Sequence, residues 1–158
     1  MRVVRRIVVL MGAVTAIGAV GAASAQALPS VLVQLRAPNH FQVRPHVIGY
    51  TGDGTGYLGG NSDDSRRSFG ALTWTRWTAR QATGRGQVWL NDCDPSCADG
   101  SFSSRPVRVH LFSPGGGHFR RLTLQFTTDD GTAVTDQRRL RHSGGYWSYD
   151  IVDRTEHK

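Results

Sequence analysis

The residues that could do chemistry are few and widely spaced. Cys93 and Cys97 sit in the run Asn91-Asp92-Cys93-Asp94-Pro95-Ser96-Cys97-Ala98-Asp99-Gly100. An even pair of cysteines in an exported chain predicts one disulfide. A Cys-x-x-x-Cys closure is short, so its effect is local and ~2 kcal/mol is its ceiling. Pro95 restricts the open turn and eases closure. Zinc would need two further soft ligands at similar spacing, and a redox pair would be Cys-x-x-Cys beside a βαβ unit. Asp92, Asp94 and Asp99 raise calcium as a reading, but the run lacks the glutamate that ends an EF-hand loop. Short carboxylates are ordinary turn formers. No metal and no cofactor is expected.

Histidine and serine chemistry is equally thin. His40, His46, His110, His118, His142 and His157 form no His-x-x-x-His or His-Glu-x-x-His pattern. No Gly-x-Ser-x-Gly elbow is present. Glycosidase chemistry needs two carboxylates across a cleft. Glu156 is the sole glutamate, so a hydrolase would have to use aspartates near residues 53–64, with Asp53, Asp63 and Asp64 as candidates. This is the second reading. The first is a non-enzymatic binding or interaction module, and it rests on aromatics. Trp74, Trp77, Trp89, Trp147, Tyr146 and Tyr149 are many for so small a chain. Most of them should pack the core, and the rest suit stacking on sugars or a protein partner. Trp74 and Trp77 are three apart, so a regular strand sends them to opposite faces. Trp77, flanked by Thr75, Arg76 and Thr78, is expected to face outward. Tyr57 and Leu58 are the large apolar residues in the middle of the run 51–70. Tyr57 and Trp77 are therefore the expected contact residues.

Strands must position these groups, because no window of ten residues beyond the leader keeps helical spacing. Period-two alternation recurs instead. Val107, Val109 and Leu111 alternate with Arg108 and His110; Leu122, Leu124 and Phe126 alternate within 121–127; Trp147, Tyr149 and Ile151 alternate within 146–151. Thr132–Thr135 is a shorter β-branched piece. Ser113-Pro114-Gly115-Gly116-Gly117, Thr128-Asp129-Asp130-Gly131 and His142-Ser143-Gly144-Gly145 supply turns. Residues 106–152 thus predict a four-stranded antiparallel meander. Ala71–Thr78, Gln87–Leu90, Val31–Leu35 and Gln42–Tyr50, the last interrupted by Pro45, are the material to cover it. The expected fold is all-β, a small antiparallel sandwich or open barrel of about seven strands with a C-terminal meander. One β domain spans 26–152, followed by a polar tail at 153–158.

The run 51–70 reads as a long surface loop rich in glycine. It lacks the Lys-Ser/Thr and helix of a P-loop, and no βαβ unit accompanies it. The string TGDGTGYLGG at 51–60, Trp74-x-x-Trp77, Gly84-x-Gly86, Cys93-x-Pro95-x-Cys97-Ala98-x-Gly100 and Pro106-Val107 resemble a group of small secreted actinobacterial proteins. The resemblance covers roughly residues 45–112. It implies export and an actinobacterial source, and it implies no chemistry.

Export is also readable directly. Arg2, Arg5 and Arg6 precede an uncharged run of 14 residues, Ile7–Val20, and Ala23-Ser24-Ala25 offers small residues at a cleavage site. The run falls short of the ~20 residues that span a bilayer, so no stable membrane span remains after cleavage. Residues 1–25 are the expected secretory signal peptide. Arg5-Arg6 matches a twin-arginine signal poorly, and Sec export is expected. The formal charge of +7 falls to +4 in the 133 residues that remain, with arginines scattered along the chain. Such scatter is no nucleic-acid footprint, which needs a clustered basic stripe. The expected partner is an extracellular or cell-wall ligand of unknown identity.

Overall fold

The structure is a computed structural model, and it describes residues 27–34, 40–51, 53–60 and 71–152. The expected signal peptide at 1–25, the tail at 153–158, and Asp63 and Asp64 lie outside the described residues. The described chain contains ten strands and no helix. They are β1 (Val31–Gln34), β2 (His40–Gln42), β3 (Ile48–Gly49), β4 (Gly56–Leu58), β5 (Thr73–Trp77), β6 (Ala82–Asn91), β7 (Phe102–Gly115), β8 (His118–Thr127), β9 (Ala133–Ser143) and β10 (Tyr146–Ile151). The all-β expectation holds.

β7 to β10 form the meander, each strand antiparallel to the next. The order β10-β9-β8-β7-β6-β4-β3 builds one curled sheet, and β5 joins it on β6. β6 is shared along its length. One side pairs with β7 throughout; the other takes β5 at residues 82–85 and β4 at 88–90. β1 and β2 form a second, two-stranded sheet.

One face of the curled sheet is apolar. Val107, Val109 and Leu111 of β7 meet Leu122 and Leu124 of β8, with Val88, Leu58 and Ile48 continuing across β6, β4 and β3. Each such side chain, fully buried, contributes about 1.5–3 kcal/mol. β1 lies across this face and buries Val31 and Leu32. Polar ties hold it there. Ser30 N–H donates to Gly117 C=O and Phe119 N–H donates to Ser30 C=O, both at 2.9 Å. The Tyr149 hydroxyl donates to Leu32 C=O at 3.3 Å.

Two expectations are corrected. Trp77 does not face outward: it is 7% exposed, and its indole N–H donates to Pro29 C=O at 3.0 Å. The cause is a β-bulge. Pairing runs Trp74↔Gly84 and then Arg76↔Thr83, so Thr75 is an extra residue in β5. The bulge shifts the alternation by one and sends both tryptophans to the apolar face. Their rings meet edge to face at 4.6 Å, and Trp77 continues to Phe119 at 5.5 Å. Second, the run 51–70 is not all loop. Gly56–Leu58 is β4, paired on both sides, and Leu58 is fully buried. Gly59 serves close approach: a Cβ there, at φ +82°, would lie 2.0 Å from His46 C=O.

Candidate functional site

The other face of the sheet is polar, and its register arranges it in rows. Thr73, Arg85, Arg108, Gln125 and Thr135 are successive partners across β5 to β9. Two residues further along β6 to β9, and three along the bulged β5, Arg76, Thr83, His110, Thr123 and Gln137 form a second row. Phe112, Arg121, Arg139 and Asp150 form a third, across β7 to β10. Rows on one face are ~7 Å apart, two residues of strand rise.

Two shallow troughs flank the first row, of about 750 and 640 Å³. Both are walled by Arg85, Arg108 and Gln125. The larger reaches Gln87, Thr127 and Thr135; the smaller reaches Gln81, His110 and Thr123. Arg85 and Arg108 are exposed and face each other directly. Like charges in direct cross-strand register destabilise a sheet.

Among the described residues, three other arginines of the sheet have carboxylate partners. Arg138, on the apolar face, pairs with Asp136 at 2.8 Å and lies over the Tyr50 ring. Arg105 pairs with Asp129, and Arg141 with Asp150 at 3.1 Å. Arg120 donates to Gly115 C=O and covers the Trp147 ring at 4.7 Å. Among the described residues, no carboxylate pairs with Arg76, Arg85, Arg108 or Arg121. The aspartates gather elsewhere. Asp53 is in the β3–β4 turn, Asp92, Asp94 and Asp99 are in the β6–β7 loop, and Asp129 and Asp130 are in the β8–β9 turn. These connections share one end of the sheet, tied by Asn91 N–H to Thr55 C=O and by the Arg105–Asp129 pair.

Those carboxylates serve their own turns. Asp53 accepts from the Thr55 hydroxyl at 2.6 Å and the Thr55 amide at 3.0 Å, which holds its pKa below the usual value. Asp92 accepts from the amides of Asp94 and Ser101, with the same effect. Asp99 accepts from the Ser96 hydroxyl. Among the described residues, no three His, Cys, Asp or Glu side chains come together as a metal would require. Cys93 and Cys97 are bonded to each other, as expected, and the bond closes this loop.

Tyr57 is half-buried on the polar face, opposite Trp89 in the register, with its ring 6.0 Å from Phe102. It and the arginine rows lie on one face, whereas Trp77 lies on the other. Sequence reasoning missed the rows entirely. It also missed Ser30 and His118, which are 88 residues apart and meet at 2.6 Å, Oγ to Nδ1. The His118 ring stacks on Phe41 at 3.9 Å. Burial and then Arg120 lower its pKa, so the imidazole is neutral at pH 7. Both backbone groups of Ser30 are engaged in the tie to Gly117 and Phe119, and the pair acts as a clamp on β1. Among the described residues no helix is long and apolar enough to cross a membrane. No protein-family model, no curated protein and no solved structure matches the chain.

Proposed function

We propose that this chain is an exported, non-catalytic binding module whose contact surface is the polar face of the sheet. One observation carries the reading. Arg85 and Arg108 oppose each other in mid-sheet with no carboxylate partner among the described residues, while Arg105, Arg138 and Arg141 each have one. Unrelieved like charge costs stability, and a ligand that supplies negative or hydrogen-bonding groups offsets that cost. Tyr57 belongs to this surface as an edge contact, and Trp77 does not. The Cys93–Cys97 bond and the leader-like first 25 residues support an extracellular or cell-wall ligand. A hydrolase centred on Asp53 gains no support, since that carboxylate is bound to its own turn.

The test is retention of the mature chain on native cell-wall material and on insoluble polysaccharides. The wild type is retained, and the double substitution Arg85→Ser with Arg108→Ser is washed off. Equal retention of a well-folded double variant rules out the polar face.

A further inference from the structure

We infer, resting on the binding-module reading, that the ligand is an acidic polysaccharide lying across the strands in the 640 Å³ trough, between the Arg85–Arg108 pair and Arg121. Four observations converge on this occupant.

Charge comes first. The trough has the exposed guanidinium groups of Arg85 and Arg108 along one side. Arg121 stands one row beyond its Thr123 wall, ~7 Å further along β8. No carboxylate pairs with any of the three among the described residues. An anionic chain in this trough therefore has cations on both sides. The pattern is spaced rather than clustered at a point, which fits a polymer with repeating charge better than a single small anion.

The second observation is the neutral lining. Thr75, Gln81, Thr83 and Thr123 interleave with the arginines in the same trough. Hydroxyls and amides both donate and accept, which is the complement of a hydroxyl-rich sugar ring. They are a poor complement to the stacked bases of single-stranded nucleic acid, which require aromatic platforms between the cations. Among the described residues the one aromatic ring in the lining is His110, and it is already stacked on Phe112 at 5.0 Å and held by Gln81 at 3.1 Å.

The third is direction. The trough walls come from β5, β6, β7 and β8, so its long axis crosses the strands. A chain bound in it meets the guanidinium pair side by side. The fourth is exclusion. The larger trough opens toward Thr127, and Asp130, which has no cation partner among the described residues, follows in the next turn. An anionic chain is repelled there and is favoured on the opposite side of the Arg85–Arg108 row, away from the acidic end.

The experiment is calorimetric titration of the mature, disulfide-intact chain with soluble polygalacturonate. Its fully methyl-esterified form and single- and double-stranded DNA oligomers serve as competing probes, each at two salt concentrations. Polygalacturonate is expected to bind, and esterification to weaken binding by about tenfold or more, since it removes the charge and keeps the sugar. Arg108→Gln and Arg121→Gln each weaken binding by about fivefold or more and lower the salt slope by about one. Thr123→Glu weakens it by about tenfold, while Thr127→Glu in the other trough changes it by less than about twofold. Thermal melting of each variant verifies the fold. Equal affinity for the esterified polymer overturns the acidic ligand and leaves the binding module standing. Tighter binding of either DNA overturns the polysaccharide. Equal effects of Thr123→Glu and Thr127→Glu overturn the assignment to this trough. Failure to bind every probe and native wall material as well overturns the binding-module reading itself.

Discussion

Gly84→Ala should destabilise the protein although it adds one methyl group. Gly84 lies on the apolar face of β6, in register with Trp74. A Cβ there would lie 2.8 Å from the six-membered ring of Trp74 and 2.9 Å from Thr73 C=O. The indole cannot retreat freely. Its N–H donates to Pro45 C=O at 2.8 Å, and its ring abuts Trp77 at 4.6 Å. Alanine recovers ~0.5–1 kcal/mol of the entropy that glycine loses in a strand. Overpacking costs about 1–3 kcal/mol, and a weakened Trp74–Pro45 bond about 1 kcal/mol more. The net loss is about 2 kcal/mol, a fall in melting temperature of about 8 °C for a domain of this size. Urea denaturation of the wild type, Gly84→Ala, Trp74→Leu and the double variant measures it. In the Trp74→Leu background the alanine should cost about 1 kcal/mol less, since the ring contact is gone and the Thr73 carbonyl contact stays. A single variant as stable as the wild type, or a cost unchanged by Trp74→Leu, refutes the packing argument.

Replacing Cys93 and Cys97 together by alanine should cost no more than about 2 kcal/mol in urea denaturation, because the closed loop is so short; loss of folding would show that the bond does more than hold one turn. His118 has its pKa lowered by burial and then by Arg120, so its contribution to stability is present above pH 6.5 and is lost as pH falls through the depressed value. Urea midpoints from pH 8 to 4 should therefore decline on the acid side, and His118→Phe, which keeps an aromatic ring on Phe41, should flatten that decline; an unchanged slope would be contrary. Burial raises Tyr50 to about 12, with Asp136 as the next cause, and burial raises Tyr149 also. Their contribution is complete below pH 10 and is lost as pH rises through the raised values, so Tyr50→Phe should soften the alkaline decline measured by circular dichroism.

The meander was legible because its alternation is written in Val, Leu and Phe. β9 was read only as a four-residue piece, and it runs from Ala133 to Ser143. Its positions facing the apolar side include Asp136 and Arg138, which neutralise each other beneath Tyr50. An ion pair at two inward positions hides the period from any hydrophobic count. β4 was hidden by its length and by Gly56 and Gly59, where a Cβ would meet the Tyr50 ring and Thr51 methyl at the first and His46 C=O at the second. The tryptophan pair misled because a one-residue bulge inverts alternation, and nothing in Thr75 or Arg76 marks a bulge in advance. The arginine rows were invisible for a different reason. Arg85, Arg108 and Arg121 look scattered along the chain, and only pairing in register collects them on one face.

The shared strand β6 has one more consequence, for how the molecule behaves when crowded. A long unpaired strand edge is a template on which further chains add, and sheet proteins that expose one tend to polymerise. β6 is ten residues long, but its second side is divided between β5 and β4, which are five and three residues long. The outermost strand on that flank, β3, has two residues. A neighbouring copy approaching there finds only short, interrupted runs of backbone donors and acceptors. That flank is a poor template for a continuous fibre, and at high local density copies of the chain gain little from pairing there.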